Sequence, residues 1–412
     1  TILKERKRVM INFLIIIQEK MVTKIKKNEI LFYLSYIILY ISLFIGDVYN
    51  IGGLDILARY LRICSYILIA ISCFNLRFVK KEFLQMMVIF MITLLYAMKT
   101  EDLYWSILIL LIYNSKKINI ESVYRISLRI IIIGIISVLF LCLIGILPDI
   151  LTSRDTLEQI DYNRHSLGFY HSNVFPLLIF YLEVYYICIV KEKVRDSVIV
   201  LFMIFAVIVN VFCRSRNAII ISLLLSVFVI LAKKKENGEN KLLYHATVLS
   251  IPVMSIFSFS MMFLLLRGGI WNTIDTFFSG RFRLAIFKMR RIGFHFINVM
   301  SNENFINDNI TYANGQDLST VVLDNGYLYI ILRYGILVLF FYFFIAYLLA
   351  KKNKRNICIL GTIVMVFIAN FVDNDLVDYS FLPFILWAFN DFGTNNVIKN
   401  VRVKFEKIKE DK

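Results

Sequence analysis

Arginine, histidine and aspartate gather in three polar islands of an otherwise apolar chain. Residues 267–324 hold Arg267, Arg281, Arg283, Lys288, Arg290, Arg291, Trp271, His295 and Asp324. A second island reads RHSLGFYHSNVFP at 164–176, with Arg164, His165 and His171, and a third, CRSRNAII, carries Arg214 and Arg216 between two apolar runs. Guanidinium groups bind phosphate oxygens in bidentate fashion and keep their charge near lipid, so converging arginines can neutralise a diphosphate leaving group. Aromatic rings beside them can stack on sugar faces. The plainer reading seats each arginine among lipid headgroups or pairs it with Asp275, Asp308 or Asp317. His165 and His171 flank a helix start where Ser172 or Asn173 can cap and Pro176 is tolerated, the helix end that favours anions.

The elements that must position these residues are membrane helices. With 59% hydrophobic and 18% charged residues, and a mean hydropathy of +0.71, the chain is too apolar for a soluble globule, which carries about a quarter charged residues. Long apolar runs exclude an outer-membrane barrel, whose strands alternate over short segments. The expected architecture is an all-α, polytopic bundle of about 12 transmembrane helices, near 30–46, 56–74, 83–98, 103–113, 126–147, 172–190, 197–212, 217–232, 242–266, 326–350, 356–372 and 379–392. The run at 103–113 is short, and Pro383 breaks the last. Residues 1–29 read as a basic N-terminal segment whose apolar stretch Val9 to Ile17 lies in the interface and, having no small-residue cleavage site after it, stays on the chain. Residues 30–392 form the membrane domain and 393–412 a basic tail.

Lysine and arginine set the orientation. Clusters at Arg77-Lys80-Lys81, Lys116-Lys117-Arg125, Lys191-Lys193-Arg195, Lys233-Lys234-Lys235 and Lys351-Lys352-Lys354-Arg355 fall on one side together with both termini. The positive-inside rule makes that side cytoplasmic. The net charge of +16 is then topological, and short clusters at helix ends do not imply nucleic acid. Outside lie two large loops, 148–173 and 267–324, and their arginines run against the same rule. Arg164, Arg214, Arg216, Arg281, Arg283, Arg290 and Arg291 thus call for a local anion.

Other chemistries have little support. The 6 cysteines sit mostly inside apolar runs without CxxC spacing, so they read as small core residues and no metal centre is expected. Asp373, Asp375 and Asp378 in DNDLVD are the one candidate cation site, and three carboxylates in a short turn are usually solvated. No internal repeat is visible, which counts against a secondary transporter.

In order and topology, RHSLGFYHSN, SRNAII, SGRFRLAIF and VVLDNGYLYIILRYGILVLF at 321–340 resemble the Wzy-type polysaccharide polymerases of the O-antigen ligase superfamily. The resemblance implies a glycosyltransferase without metal or other cofactor. It would act on undecaprenyl-diphosphate-linked oligosaccharide, as donor and acceptor, at the outer face of a bacterial plasma membrane, in capsule or exopolysaccharide biosynthesis. Besides membrane lipids, a chain-length regulator and a flippase are the implied partners. Arg216 and Arg281 would hold the donor diphosphate, with Arg164 and Arg283 beside them, and Arg59 and Arg62 would approach it from the second span. Asp324 stands where the ligase relatives commonly have a histidine before asparagine. A carboxylate can do the same general-base work, and it can also cap the helix that follows. The rivals are a lipid-linked oligosaccharide flippase and an O-antigen ligase proper.

Overall fold

The computed structural model describes residues 28–74, 80–155, 160–233, 239–278, 280–301, 310–311, 317–318 and 323–391. The tail 393–412 and all of the segment 1–29 except residues 28 and 29 lie outside them, as does the interfacial helix expected at Val9 to Ile17. Helices dominate: α1 (Asn28–Gly46), α2 (Leu54–Phe74), α3 (Lys80–Thr100), α4 (Tyr104–Ser115), α5 (Ile120–Leu143), α6 (Val174–Val190), α7 (Asp196–Cys213), α8 (Arg216–Ala232) and α9 (Lys241–Leu265). They are followed by α10 (Ile270–Phe277), α11 (Arg281–Ile292), α12 (Gly326–Arg333), α13 (Ile336–Lys352), α14 (Ile357–Ala369) and α15 (Leu382–Phe389).

Among the described residues 7 helices are long and apolar enough to cross a membrane: α1, α2, α3, α5, α6, α7 and α9. The other expected spans correspond to shorter helices, of 12 residues for α4, 17 for α8 and for α13, 13 for α14 and 8 for α15. α6 is apolar but for the buried Glu183, which accepts from the Ser222 and Ser226 hydroxyls of α8, and its membrane-length window is 72% buried against 17% for α3, so it forms the axis of the bundle. The outer ring shows the converse. Ile67, Leu84, Ile92, Ile133, Leu201 and Phe257 are exposed, the surface expected of helices solvated by lipid chains.

The helix ends sort into two faces. At one, Lys116 after α4 meets Glu82 of α3 at 3.4 Å, Lys233 after α8 pairs with Asp196 of α7, and Lys354 meets Glu239 at 2.7 Å. This lysine-rich end matches the side onto which the basic clusters fall. At the opposite end a hairpin, β1 (Leu151–Asp155) and β2 (Ile160–His165), pairs antiparallel from Leu151 opposite His165 to Asp155 opposite Ile160, with an irregularity between Thr152 and Arg154. A bridge between Val48 and Phe169 ties the end of α1 to the loop entering α6.

The run 326–350 is not one span. Trp105, in the first turn of α4, packs edge-on against Tyr334 and Tyr342, with centroids 5.2 and 6.4 Å away. Tyr342 in turn donates to the Leu376 carbonyl, beyond the end of α14, at 2.6 Å. α13 therefore begins at the arginine-rich end, and α12 lies across that end instead of descending through the bundle. The break is at Gly335. Residues 295–298 run beside it, so that the Ile336 and Leu337 N–H groups donate to His295 and Phe296 carbonyls at 3.1 and 3.0 Å, and Asn298 N–H donates to the Tyr334 carbonyl at 3.1 Å. Outside backbone thus replaces the helical partners lost at the break, which non-helical chain near lipid requires.

Gly335 has φ +99°, and a Cβ there would stand 2.6 Å from the Phe296 carbonyl oxygen. Gly335→Ala is accordingly expected to destabilise the protein by about 1–3 kcal/mol from backbone strain alone. Thermal unfolding in detergent measures this, and an unshifted midpoint would mean that residues 295–298 are not seated against the break.

Candidate functional site

Asp324 stands just outside α12, and the question its position raised in the sequence is answered by its neighbour. Asn325 is the N-cap: its Oδ1 accepts from Leu328 N–H at 3.0 Å, while its Nδ2 donates to the Phe371 carbonyl at 2.8 Å and to Ser258 Oγ at 3.1 Å. Gly326 N–H donates to the Asn370 and Asp373 carbonyls at 2.9 and 2.7 Å. These bonds lock the start of α12 onto the ends of α14 and α9, and leave the Asp324 carboxylate uncommitted to the helix. Its Oδ2 lies 3.5 Å from Arg281 Nη2.

Arg281 opens α11, and its placement is set by Asp275. The Asp275 carboxylate accepts from Phe282 N–H at 3.0 Å, a negative group at the positive end of a helix. The Gly280 N–H adds a bond to the Asp275 carbonyl at 2.8 Å. Arg281 is thereby turned inward. It is 5% exposed, and its Nε and Nη1 are buried without a hydrogen-bond partner. A buried guanidinium whose one carboxylate is distant and whose remaining donors are unsatisfied is destabilising by itself. It is also an anion receptor with vacant donors, since phosphate oxygens would complete it.

His171 and Arg164 approach from the other side. Along β2 successive side chains point to opposite faces, which sends Arg164 inward and leaves His165 at the surface. Arg164 Nη2 donates to Asn173 Oδ1 at 2.5 Å and its Nε donates to the Cys213 carbonyl at 3.4 Å, joining the start of α6 to the end of α7. His171 Nδ1 accepts from Asn173 N–H at 3.1 Å, so the proton of the neutral ring is on Nε2. Burial, and next the Arg164 charge, push the His171 pKa down, with Asp324 opposing them and Arg281 reinforcing them. His171 therefore enters the site as a neutral N–H donor.

A wall of carboxylates completes the arrangement. Asp47, Asp324, Asp373 and Asp378 all lie within electrostatic range of Tyr170. Asp47 accepts from the Tyr379 hydroxyl, and the buried Asp375 accepts from Tyr181 Oη at 3.2 Å. Burial first, and then the Asp324 charge, raise Asp373 to about 7, against the pull of Arg281. Burial also lifts Asp378 to about 6 and holds Asp47 and Asp375 well above the usual carboxylate range. The turn expected to be solvated is thus folded into the protein. Among the described residues no group of three or more His, Cys, Asp or Glu side chains is arranged to hold a metal ion.

These raised values have a signed consequence for stability. The folded state holds protons on Asp373 and its neighbours that the unfolded chain releases above the ordinary carboxylate range, so their contribution is full below that range and is lost as pH rises toward about 7. The unfolding temperature in detergent is expected to fall between pH 5 and pH 8 for the wild type. Asp373→Asn should fall less, and an identical slope in the two would show that Asp373 does not titrate in this window.

The structure brings together Arg164, His171, Arg281 and Asp324 of the residues picked out in the sequence. No family model, curated protein or solved structure matches the chain. The site is therefore read from its own geometry. Arg216 sits at the rim, exposed, with its guanidinium 5.8 Å from the centre of the Phe277 ring. A row of rings, Phe277, Phe278, Phe282 and Phe371, connects that rim to the residue beside Arg281. Arg283 lies apart, 3.6 Å from Asp275, the ion pair that was the plainer expectation for it. His165 Nδ1 is 2.5 Å from Asp149 Oδ2, and the other Asp149 oxygen accepts from Leu167 N–H at 2.8 Å, so this pair braces the loop. On α2, Arg59 is exposed and Arg62 half-buried, the latter beside Tyr66. In the sequence Asp373 and Asp378 stand out only within the acidic turn DNDLVD, as a candidate cation site, and Asp47 does not stand out. For Asp373 and Asp378 the signal that the turn is more than a solvated loop is its apolar company in FVDNDLVDYSFLP.

Proposed function

We propose that this chain is a glycosyltransferase that polymerises undecaprenyl-diphosphate-linked oligosaccharide at the outer face of a bacterial plasma membrane. Its about twelve spans would leave both termini in the cytoplasm. The observation that carries the reading is Arg281: a buried guanidinium with two vacant donors, 3.5 Å from a carboxylate that caps nothing. In the reaction a hydroxyl of the acceptor sugar attacks the anomeric carbon of the donor, and its proton passes to Asp324. The bond from that carbon to the diphosphate oxygen breaks, and undecaprenyl diphosphate leaves with its electron pair. Arg281 neutralises the charge that develops on the leaving group, Arg164 adds to the positive field, and His171 Nε2–H is available to an oxygen. Arg216 at the rim would meet the anion on entry. The arginines supply the charge compensation that a divalent metal supplies elsewhere, which favours a metal-independent transfer.

A transporter of the same lipid-linked sugar is the second reading, favoured by the discontinuous helix at Gly335, since broken helices line transport sites. Against it, the arginines and carboxylates of the candidate site all lie at one end of the bundle. An O-antigen ligase would differ in acceptor alone. The anion assignment is tested by adding undecaprenyl diphosphate or undecaprenyl monophosphate to the purified protein in detergent and following its unfolding temperature. The diphosphate is expected to stabilise more, and equal or absent stabilisation by the two lipids would overturn the assignment.

A further inference from the structure

The far end of α12 carries a second constellation. Asp102, in the turn between α3 and α4, accepts from Tyr104 N–H at 2.9 Å and lies in electrostatic range of Tyr66, Tyr104, Tyr329 and Tyr334. The rings form a continuous wall: Tyr104 against Trp105 at 5.2 Å, Trp105 against Tyr334 at 5.2 Å and Tyr334 against Tyr329 at 6.1 Å. The Arg333 guanidinium covers the Tyr334 ring at 5.3 Å. Among the described residues Trp105 Nε1 and Arg62 Nε find no hydrogen-bond partner.

Tyrosines at a membrane interface are ordinarily a belt facing headgroups. This group instead packs ring to ring around a carboxylate, with a guanidinium on either side. Trp105 and Tyr334 are buried behind the partly exposed Tyr104, Tyr329, Asp102 and Arg62, and aromatic groups beside a carboxylate and a guanidinium suit a carbohydrate, whose ring faces are apolar and whose edges are hydroxyls. Its position is as telling as its composition. α12 has 8 residues, so about 12 Å of helix lies between Asp324 and the far end of this wall at Tyr334, with Tyr329 between them, the reach of a short oligosaccharide. Tyr104 lies in range of both Asp102 and Asp378, so the two groups are neighbours along one path.

We infer that the wall formed by Arg62, Asp102, Tyr104, Trp105, Tyr329 and Tyr334 is the subsite for the acceptor oligosaccharide, holding its inner sugars while its terminal hydroxyl reaches Asp324. The inference rests on the glycosyl-transfer reading and deepens it. The test compares binding of two lipids to the full-length protein: the lipid-linked repeat unit extracted from the source cells, and bare undecaprenyl diphosphate. The wild type is expected to bind the sugar-bearing lipid at least about tenfold more tightly. Asp102→Asn and Tyr329→Ala should erase that preference, raise KM for the acceptor and leave kcat and the affinity for the bare lipid unchanged. Arg281→Ala should do the reverse, weakening both lipids.

Affinity for the bare lipid also reports whether each variant is folded. As a measurement that needs no disruptive variant, Trp105 can be made the sole indole by Trp271→Phe and Trp387→Phe, and its fluorescence should change with the sugar-bearing lipid only. Equal affinity of the wild type for the two lipids, or equal weakening of both by Asp102→Asn and Tyr329→Ala, would overturn the subsite and leave the anion site standing. Failure of the wild type to bind either lipid would overturn both.

Discussion

Asp324→Asn is expected to stop chain extension, lowering kcat by about 10²–10⁴-fold, while undecaprenyl diphosphate still binds. The substitution keeps the size and shape of the side chain and removes its ability to accept a proton. It also separates two roles that the sequence left open. Asparagine is as good a helix cap as aspartate, so a purely capping residue would tolerate the change, but the cap of α12 is Asn325, whose Oδ1 holds Leu328 N–H at 3.0 Å. Initial rates of sugar transfer, measured alongside binding of the bare lipid, decide the matter. Undiminished turnover in Asp324→Asn would remove Asp324 from the chemistry.

The second large effect is expected for Arg281→Ala, which should reduce turnover by about 10²–10³-fold and abolish the stabilisation by undecaprenyl diphosphate. Arg281 is 5% exposed and makes one ion pair, at 3.5 Å, so most of its hydrogen-bonding capacity is open to a ligand. Arg281→Lys keeps the charge and loses the planar fork that matches two phosphate oxygens, and should recover only part of the activity. The pH dependence carries a further sign. Arg281 opposes the rise in the Asp373 pKa, so its removal should push that pKa further up and carry the fall of stability with pH to higher pH. A variant that melts earlier yet retains its response to the diphosphate would reduce Arg281 to a structural residue.

Much of this arrangement is visible in the sequence because residue type alone signals it. Long apolar runs announce the membrane helices, and the arginines of the polar islands include Arg164 and Arg281, which the fold brings together, but also Arg216 and Arg283, which it does not. Pro383 marks the last run as broken, and α15 is indeed only 8 residues long. The failures have a common cause, which is contact between distant parts of the chain. Residues 326–350 have the composition of a span, and what divides them is backbone from 295–298 docking at Gly335. Arg283 has the same chemistry as Arg281 two residues earlier, yet the turn of the helix delivers one to Asp275 and the other to Asp324. Asp47 and Asp373 are far apart in sequence, and each alone looks like an ordinary turn residue. Only the packing of α1, α12 and α14 brings them, half-buried, around Asp375.

The most direct measurement is extension of purified lipid-linked repeat units by the protein reconstituted into liposomes without any ion gradient. The account predicts a ladder of lipid-linked products, each longer by one repeat, with undecaprenyl diphosphate released at every step. Passage of the labelled lipid between leaflets with no increase in length would contradict it.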